Sequence, residues 1–240
     1  MEANLLKIDI RAFRAIDNPA LCENYIDGHR RILDVYGVSK VTSASTDWKL
    51  DPSTYIIIIY DSHDNSIIYG GARLQIRTET LPMPMEGAIA ILDKSIYQYV
   101  DQYGNYNVAE FCGLWNSVEV SGYGLGSMVL GRIGVAIVSQ LNLECFMALC
   151  SPATLRNCLK LGFEKIVELG NNGTFYYPKE DLIATALIIK DIENLPTADP
   201  ATRDAIMNLR QNPVQIARES GPKGDMEINY DIRINITVNE

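Results

Sequence analysis

Residues 107–163 constrain this chain more than any other stretch. An apolar strand pattern at 107–116 runs into Ser121-Gly-Tyr-Gly-Leu-Gly-Ser127, which opens a long apolar helix at about 124–141. A second strand at 143–150 and a short helix at 152–161 follow, stopping at Gly162-Phe163. Glycine has no Cβ, so backbone at such a turn can come close to a ligand. The first turn of the helix behind it leaves N–H groups unpaired at the positive end of a dipole. Together they predict an anion socket of the size of a phosphate or pyrophosphate.

The rest of the chain narrows the class. Residues 5–14 alternate like a half-buried strand, and Asn18-Pro19 starts a helix in which Leu21, Tyr25, His29, Ile32, Leu33 and Tyr36 repeat at helical spacing as an apolar stripe until Gly37 ends it. The stretch 38–54 reads as a long loop. Strands are expected at 55–61 and 66–78, joined by a turn at 62–65, then an irregular segment at 79–92 and a short helix at 93–103. Strands near 163–168 and 182–190 complete a sheet. The boundaries expected are one domain at 1–195 and a C-terminal extension at 196–240. In that extension Gly221-Pro-Lys-Gly224 reads as a flexible joint, and Met226, Ile228, Tyr230, Ile232, Ile234, Ile236 and Val238 alternate with polar residues. That period of two predicts a strand that needs a sheet edge, on its own domain or across a homodimer.

Charge and cysteines exclude several functions. With 21 basic and 30 acidic residues the chain carries a formal charge of −9, the wrong sign for a general nucleic-acid surface. The run Tyr55–Tyr60 is too short to span a bilayer, and Met1-Glu-Ala-Asn lacks the basic start of a secretory leader, so a cytoplasmic protein is expected. Five cysteines with no C-x-x-C pair fit reduced thiols. His29 and His63 lie in unrelated segments, and no metal site is expected.

Several readings compete for the glycine turn. The dinucleotide fingerprint G-x-G-x-x-G is missed at Ser127, and the strand after it ends Ala148-Leu-Cys-Ser151 without a carboxylate. The phosphate-loop pattern fails for lack of Gly-Lys-Ser/Thr. Glycines that merely let a helix pack closely are a further alternative. The best match is the R/Q-x-x-G-x-G/A pattern of the GCN5-related N-acetyltransferase (GNAT) superfamily, which Ser121-Gly-Tyr-Gly124-Leu-Gly126 resembles. Ser151–Phe163 is similar to that superfamily's second motif. The resemblance implies a mixed α/β fold with a largely antiparallel central sheet flanked by helices. It also implies that Trp115, Asn116, Ser121, Gly122, Tyr123, Gly124, Leu125, Gly126 and Ser127 hold the phosphates and pantetheine of coenzyme A or of an acyl-carrier protein. The strand at 107–116 would carry a bulge and splay from the one at 143–150.

Gly70–Pro84 looks like the G-x-A-R-L-x-P-T-x-x-P segment of acyl-homoserine-lactone (autoinducer) synthases, a branch of that superfamily. Arg73, Trp48, Asp47 and Asp51 fall where that branch binds its acceptor, and Glu110 where it has E-x-x-R. Here Gly113 replaces the arginine, and the acids are spaced Asp47-x-x-x-Asp51, which puts S-adenosylmethionine in doubt as the acceptor.

Amide formation needs a base, a polarised carbonyl and a thiolate that can leave. Glu110, alone in an apolar strand, is the candidate base, with a structural partnership to Arg73 or Arg77 as the alternative. Arg73 would read an acceptor carboxylate or sit in an internal ion pair. Cys158 takes the position of the superfamily's general-acid tyrosine, though buried cysteines commonly serve as packing. A backbone N–H near Trp115 or Asn116 would polarise the carbonyl. Tyr97, Tyr99, Tyr103 and Tyr106 either wall the acceptor site or cement a helix. The function expected is acyl transfer from acyl-CoA or acyl-carrier protein to a small amine. The alternative is a non-catalytic acyl-thioester sensor of the same fold, to which Ser121, Cys158 and Gly113 all lean.

Overall fold

The run at 55–60 shows no alternation because it lies inside a sheet covered on both faces. It belongs to β2 (Thr54–Asp61), whose first seven residues are all buried. The computed structural model describes residues 5–38 and 41–234. Around β2 stand β1 (Leu6–Arg14), β3 (Ile68–Ile76), β4 (Val108–Asn116), β5 (Cys145–Cys150), β6 (Glu164–Lys165), β7 (Thr174–Tyr176), β8 (Ile183–Ile189), β9 (Val214–Gly221) and β10 (Gly224–Asp231). The order is β6-β8-β5-β4-β3-β2-β1-β10-β9, with β7 also on β8. Pairing is antiparallel except at β4–β5 and β1–β10.

Helices cover both faces. They are α1 (Pro19–Val35), α2 (Pro84–Ala90), α3 (Ser95–Asp101), α4 (Gly131–Val138), α5 (Pro152–Lys160) and α6 (Pro200–Gln211). The start of α1 is written locally, since the Asn18 side chain accepts the Leu21 N–H at 3.1 Å and Pro19 needs no N–H partner there. On one face α4 and α6 pack Ile133, Ile137 and Ile206 into a core shared with Ile8, Ile57 and Ile228. On the other, α1 sets Tyr25 and Ile26 against Ile56, Ile58 and Trp115. Beside it, α2 and α3 place Met85, Ile89 and Ile96 on Val108 and Met147.

Three expectations change. The segment 79–92 contains α2, entered through Pro84 and held by Glu86, whose carboxylate accepts the Met83 N–H at 2.8 Å. The strand expected at 163–168 is reduced to Glu164–Lys165. The supposed joint at 221–224 is the tight turn of a hairpin, because Val214–Gly221 is itself a strand, with Gly221 opposite Gly224. The strand expected at 226–238 is β10, with Met226, Ile228 and Tyr230 buried. It pairs with β1 on one side and β9 on the other, so the sheet edge it needs is found on its own chain. Ile236 and Val238 lie outside the described residues.

Candidate functional site

β4 pairs with β5 only from Val108↔Cys145 to Phe111↔Ala148, and beyond that the two strands part. The cause lies in β4. Against β3, Arg73 faces Cys112 but Gly71 faces Trp115, so β4 carries one extra residue. Gly113 takes it up with φ of +58°. A Cβ there would stand 2.1 Å from the Tyr25 hydroxyl oxygen. Tyr25 reaches in from α1 and donates to the Gly113 carbonyl at 2.7 Å. Burial pushes its phenol far above the ordinary value, so it remains a donor.

Past β4 the chain turns at Gly122 (φ +87°) and Gly124 (φ +80°). The Val129 N–H reaches back to the Gly124 carbonyl at 3.1 Å, a wide turn spanning Leu125–Leu130 that leads into α4. A Cβ on Gly126 would stand 2.5 Å from the Asn116 side-chain oxygen. The turn therefore folds flush against the end of β4. Asn116, Ser121, Gly122, Gly124, Leu125, Gly126 and Ser127 line a cleft of about 250 Å³ with Asn157 and Pro222. Asn157, from α5, donates to the Ser127 hydroxyl at 2.6 Å. Two residues expected here stand elsewhere. The Trp115 ring is buried under α1 against Gly28, and the Tyr123 ring lies beneath the Lys223 ammonium.

Cys158 faces Cys150, on the half of β5 that has left β4. The hydrogen bond to Cys150, reinforced by burial, holds the Cys158 thiol well above its ordinary range, so it stays protonated.

Across the sheet from α4, Arg73 on β3 is 1% exposed. It stacks over the Trp48 ring at 4.8 Å, and one terminal nitrogen reaches the Ser45 carbonyl at 3.4 Å. Its Nε and Nη2 have no partner, an uncommon condition for a buried guanidinium. Beside it Tyr25, His29, Arg30, Asp34, Ser45 and Trp48 line a cavity of about 310 Å³. Burial, helped by the charge of Arg73, pulls His29 down to about 4, leaving a neutral imidazole at physiological pH. Asp47 and Asp51 do not join this cavity. Asp47 accepts the Ser45 hydroxyl at 2.7 Å and Asp51 the Ser53 N–H at 2.7 Å, so both carboxylates stabilise their own turns. Tyr25 and His29 were legible only as members of an apolar helix stripe.

Glu110 lies on β4 just before the bulge, buried, and accepts the Met85 N–H at 2.7 Å. Burial raises its carboxyl to about 8. Arg77 is not its partner, being engaged by Glu86 at 3.1 Å, Asp101 at 2.7 Å and Asn105 at 3.1 Å. Tyr99 and Tyr103 meet edge-on at 6.1 Å and pack α3 on the sheet, while Tyr97 and Tyr106 are exposed. Among the described residues no group of three His, Cys, Asp or Glu is placed to hold a metal, and no helix is long and apolar enough to cross a membrane.

No protein-family model matches the chain, and no curated protein matches it by sequence. Solved structures match its fold. FeeM, an N-acyl amino acid synthase from uncultured soil microbes, is similar at a TM-score of 0.59 and 13% identity, over 78% of this chain and 93% of FeeM. MesI, a CoA-dependent acyl-homoserine lactone synthase, gives 0.51 and 18%, over 82% and 95%. An acyl-CoA N-acyltransferase from Pseudomonas aeruginosa gives 0.52 and 10%, over 75% and 98%. The chain has the mixed α/β fold of the GNAT acyltransferases.

Proposed function

We propose that this chain is an N-acyltransferase that moves an acyl group from a thioester to the amine of a small acceptor bearing a carboxylate. The observation that carries the reading is the opening of β4 from β5 at the Gly113 bulge, directly beside the glycine turn. Strands that part leave N–H and C=O groups free to pair with the amides of a pantetheine arm. The turn offers unshielded backbone to its phosphates, whether these belong to coenzyme A or to an acyl-carrier protein. The three structural neighbours, whose names all describe acyl transfer or synthesis of acyl compounds, support the same reading.

Arg73 supports the acceptor class. Its two unpartnered nitrogens, Nε and Nη2, suit a carboxylate, which would relieve an otherwise costly burial. In the reaction the acceptor ammonium passes a proton to Glu110 through a water, and the freed amine attacks the thioester carbonyl. A backbone N–H after the bulge stabilises the oxyanion. The C–S bond then breaks while the C–N bond remains, and the second proton lost by the new amide nitrogen goes to the departing thiolate, relayed through the Cys158 thiol, which gives one proton as it takes the other. The products are an amide and a free thiol.

Calorimetry with coenzyme A and a thiol-release assay test this directly. With an acyl-CoA donor, amino acids should release thiol and their amides should not. A chain that binds neither coenzyme A nor acyl-carrier protein overturns the proposal.

A further inference from the structure

The β9–β10 hairpin ends at the glycine turn. Its own turn, Gly221-Pro-Lys-Gly224, packs against residues 119–123 at the rim of the cleft. The Lys223 N–H donates to the Gly122 carbonyl at 3.0 Å. The Lys223 ammonium donates to the Glu119 carbonyl at 2.9 Å and lies 5.2 Å over the Tyr123 ring. Pro222 forms part of the cleft wall. A Cβ on Gly221 would stand 2.2 Å from the Tyr123 carbonyl oxygen, so glycine is what lets the two turns meet.

These contacts add little to the hairpin's own stability. Its hold on the protein comes from Met226, Ile228 and Tyr230, which are buried, and from pairing with β1. Further along, Glu219 of β9 pairs with Arg132 of α4 and accepts the Tyr230 hydroxyl at 2.5 Å. Pro222 and Lys223 at the tip are exposed. The tip serves the glycine turn instead. A segment with Gly at 122, 124 and 126 has much conformational freedom to lose when it closes on a phosphate. Pinning the carbonyls at 119 and 122 from behind removes part of that freedom before the ligand arrives, which is preorganisation. The tip also brings a cation to a turn that has Ser121 where the related pattern has Arg or Gln, on a chain of formal charge −9.

We infer that the C-terminal hairpin is a positioning element of the donor site, with Gly221 and Lys223 holding the phosphate-binding turn in its ligand-ready shape. The inference rests on the donor reading given above. It assigns the C-terminal segment to the acyltransferase site and makes donor affinity depend on residues about a hundred positions from the turn.

The test compares full-length protein with Lys223→Ala, Lys223→Arg and Gly221→Ala. Coenzyme A binding is measured by calorimetry, and turnover with the same acyl group on coenzyme A and on pantetheine, which lacks phosphates. Lys223→Ala should weaken coenzyme A binding roughly tenfold and Gly221→Ala more, with Lys223→Arg close to wild type. Turnover of acyl-pantetheine and the acceptor KM should not move in any variant. Equal coenzyme A affinity in all four proteins overturns the inference and leaves the donor reading intact. An equal loss with acyl-pantetheine also overturns it, since that marks general structural damage. Wild-type protein that fails to bind coenzyme A removes the donor reading and this inference together. If Gly221→Ala does not fold, the two Lys223 variants decide alone, because that side chain is exposed.

Discussion

Replacing Glu110 by glutamine separates a catalytic carboxylate from a structural one. Gln keeps the shape and can still accept the Met85 N–H, but it never carries charge. In the wild type the carboxyl titrates at about 8 in the folded chain against 4.5 when unperturbed. The folded chain thus holds a proton that the unfolded chain releases. This contribution to stability is complete below pH 4.5 and is lost as pH rises through 8. The slope is about 1.4 kcal/mol per pH unit across that window, so the total is on the order of 5 kcal/mol. For a chain of this size that corresponds to a melting-temperature difference on the order of 10 °C. Melting curves of both proteins from pH 5 to pH 9 should diverge, with Glu110→Gln the flatter. Acyl-CoA turnover of the wild type should rise with pH and level off above about 8. Glu110→Gln should lose roughly 10²- to 10⁴-fold in kcat while coenzyme A affinity is kept. Parallel melting curves would refute the buried-carboxyl reasoning. Divergent curves with unchanged kcat would refute the base.

Three further outcomes are expected. Arg73→Met should remove most discrimination between an amino-acid acceptor and its amide, raising the acceptor KM by roughly 10- to 100-fold; Arg73→Lys should restore little, since a point charge does not reproduce the fork. A steady-state comparison of the two acceptors checks this, and unchanged selectivity counts against carboxylate recognition. Gly113→Ala places a methyl group 2.1 Å from the Tyr25 hydroxyl oxygen in a backbone conformation with φ of +58°, so it should destabilise by about 1–3 kcal/mol and weaken acyl-thioester binding. Urea melts and calorimetry read both effects, and a neutral variant would show that the bulge does not depend on glycine. Ile228→Ala, in the buried face of β10, should cost about 2–5 kcal/mol in a urea melt, and a loss under 1 kcal/mol would mean the hairpin is loosely attached.

The glycine-turn half of the candidate site was legible in sequence because it is local. Positive-φ glycines at 122 and 124, a helix directly behind them and strands on either side all fall within a few dozen residues. The half around Arg73 was not, because it is assembled across the sheet. Arg73 meets Trp48 only once β2 and β3 lie beside the loop before them, and the stripe of α1 that reads as core delivers Tyr25 and His29 to a cavity. Asp47 and Asp51 show the opposite failure: two acids with suggestive spacing are satisfied by neighbours two residues away. β9 was missed because Pro196, Pro200 and Pro213 pointed to one or two short helices; Pro200 does begin α6, but Pro213 precedes a strand.

The same geometry accounts for the departure from the E-x-x-R pattern. The residue three places after Glu110 is at the bulge, where any side chain would collide with the Tyr25 hydroxyl. An arginine at 113 is therefore incompatible with Tyr25 docked as it is, and the tyrosine supplies a neutral donor to backbone where a cation would have stood. Without that arginine, Arg73 is left without a second guanidinium beside it on β4. With Asp47 and Asp51 held in their own turns, no carboxylate pair faces it to clasp an amino group. Under the proposed reading, a cavity lined by Arg30, Asp34, a neutral His29 and an aromatic wall of Tyr25 and Trp48, with the buried Arg73 behind Trp48, would suit a simple α-amino acid better than a sulfonium-bearing one. A sulfonium would bring a further positive charge toward Arg30 and Arg73, and among the described lining residues Asp34 alone is acidic.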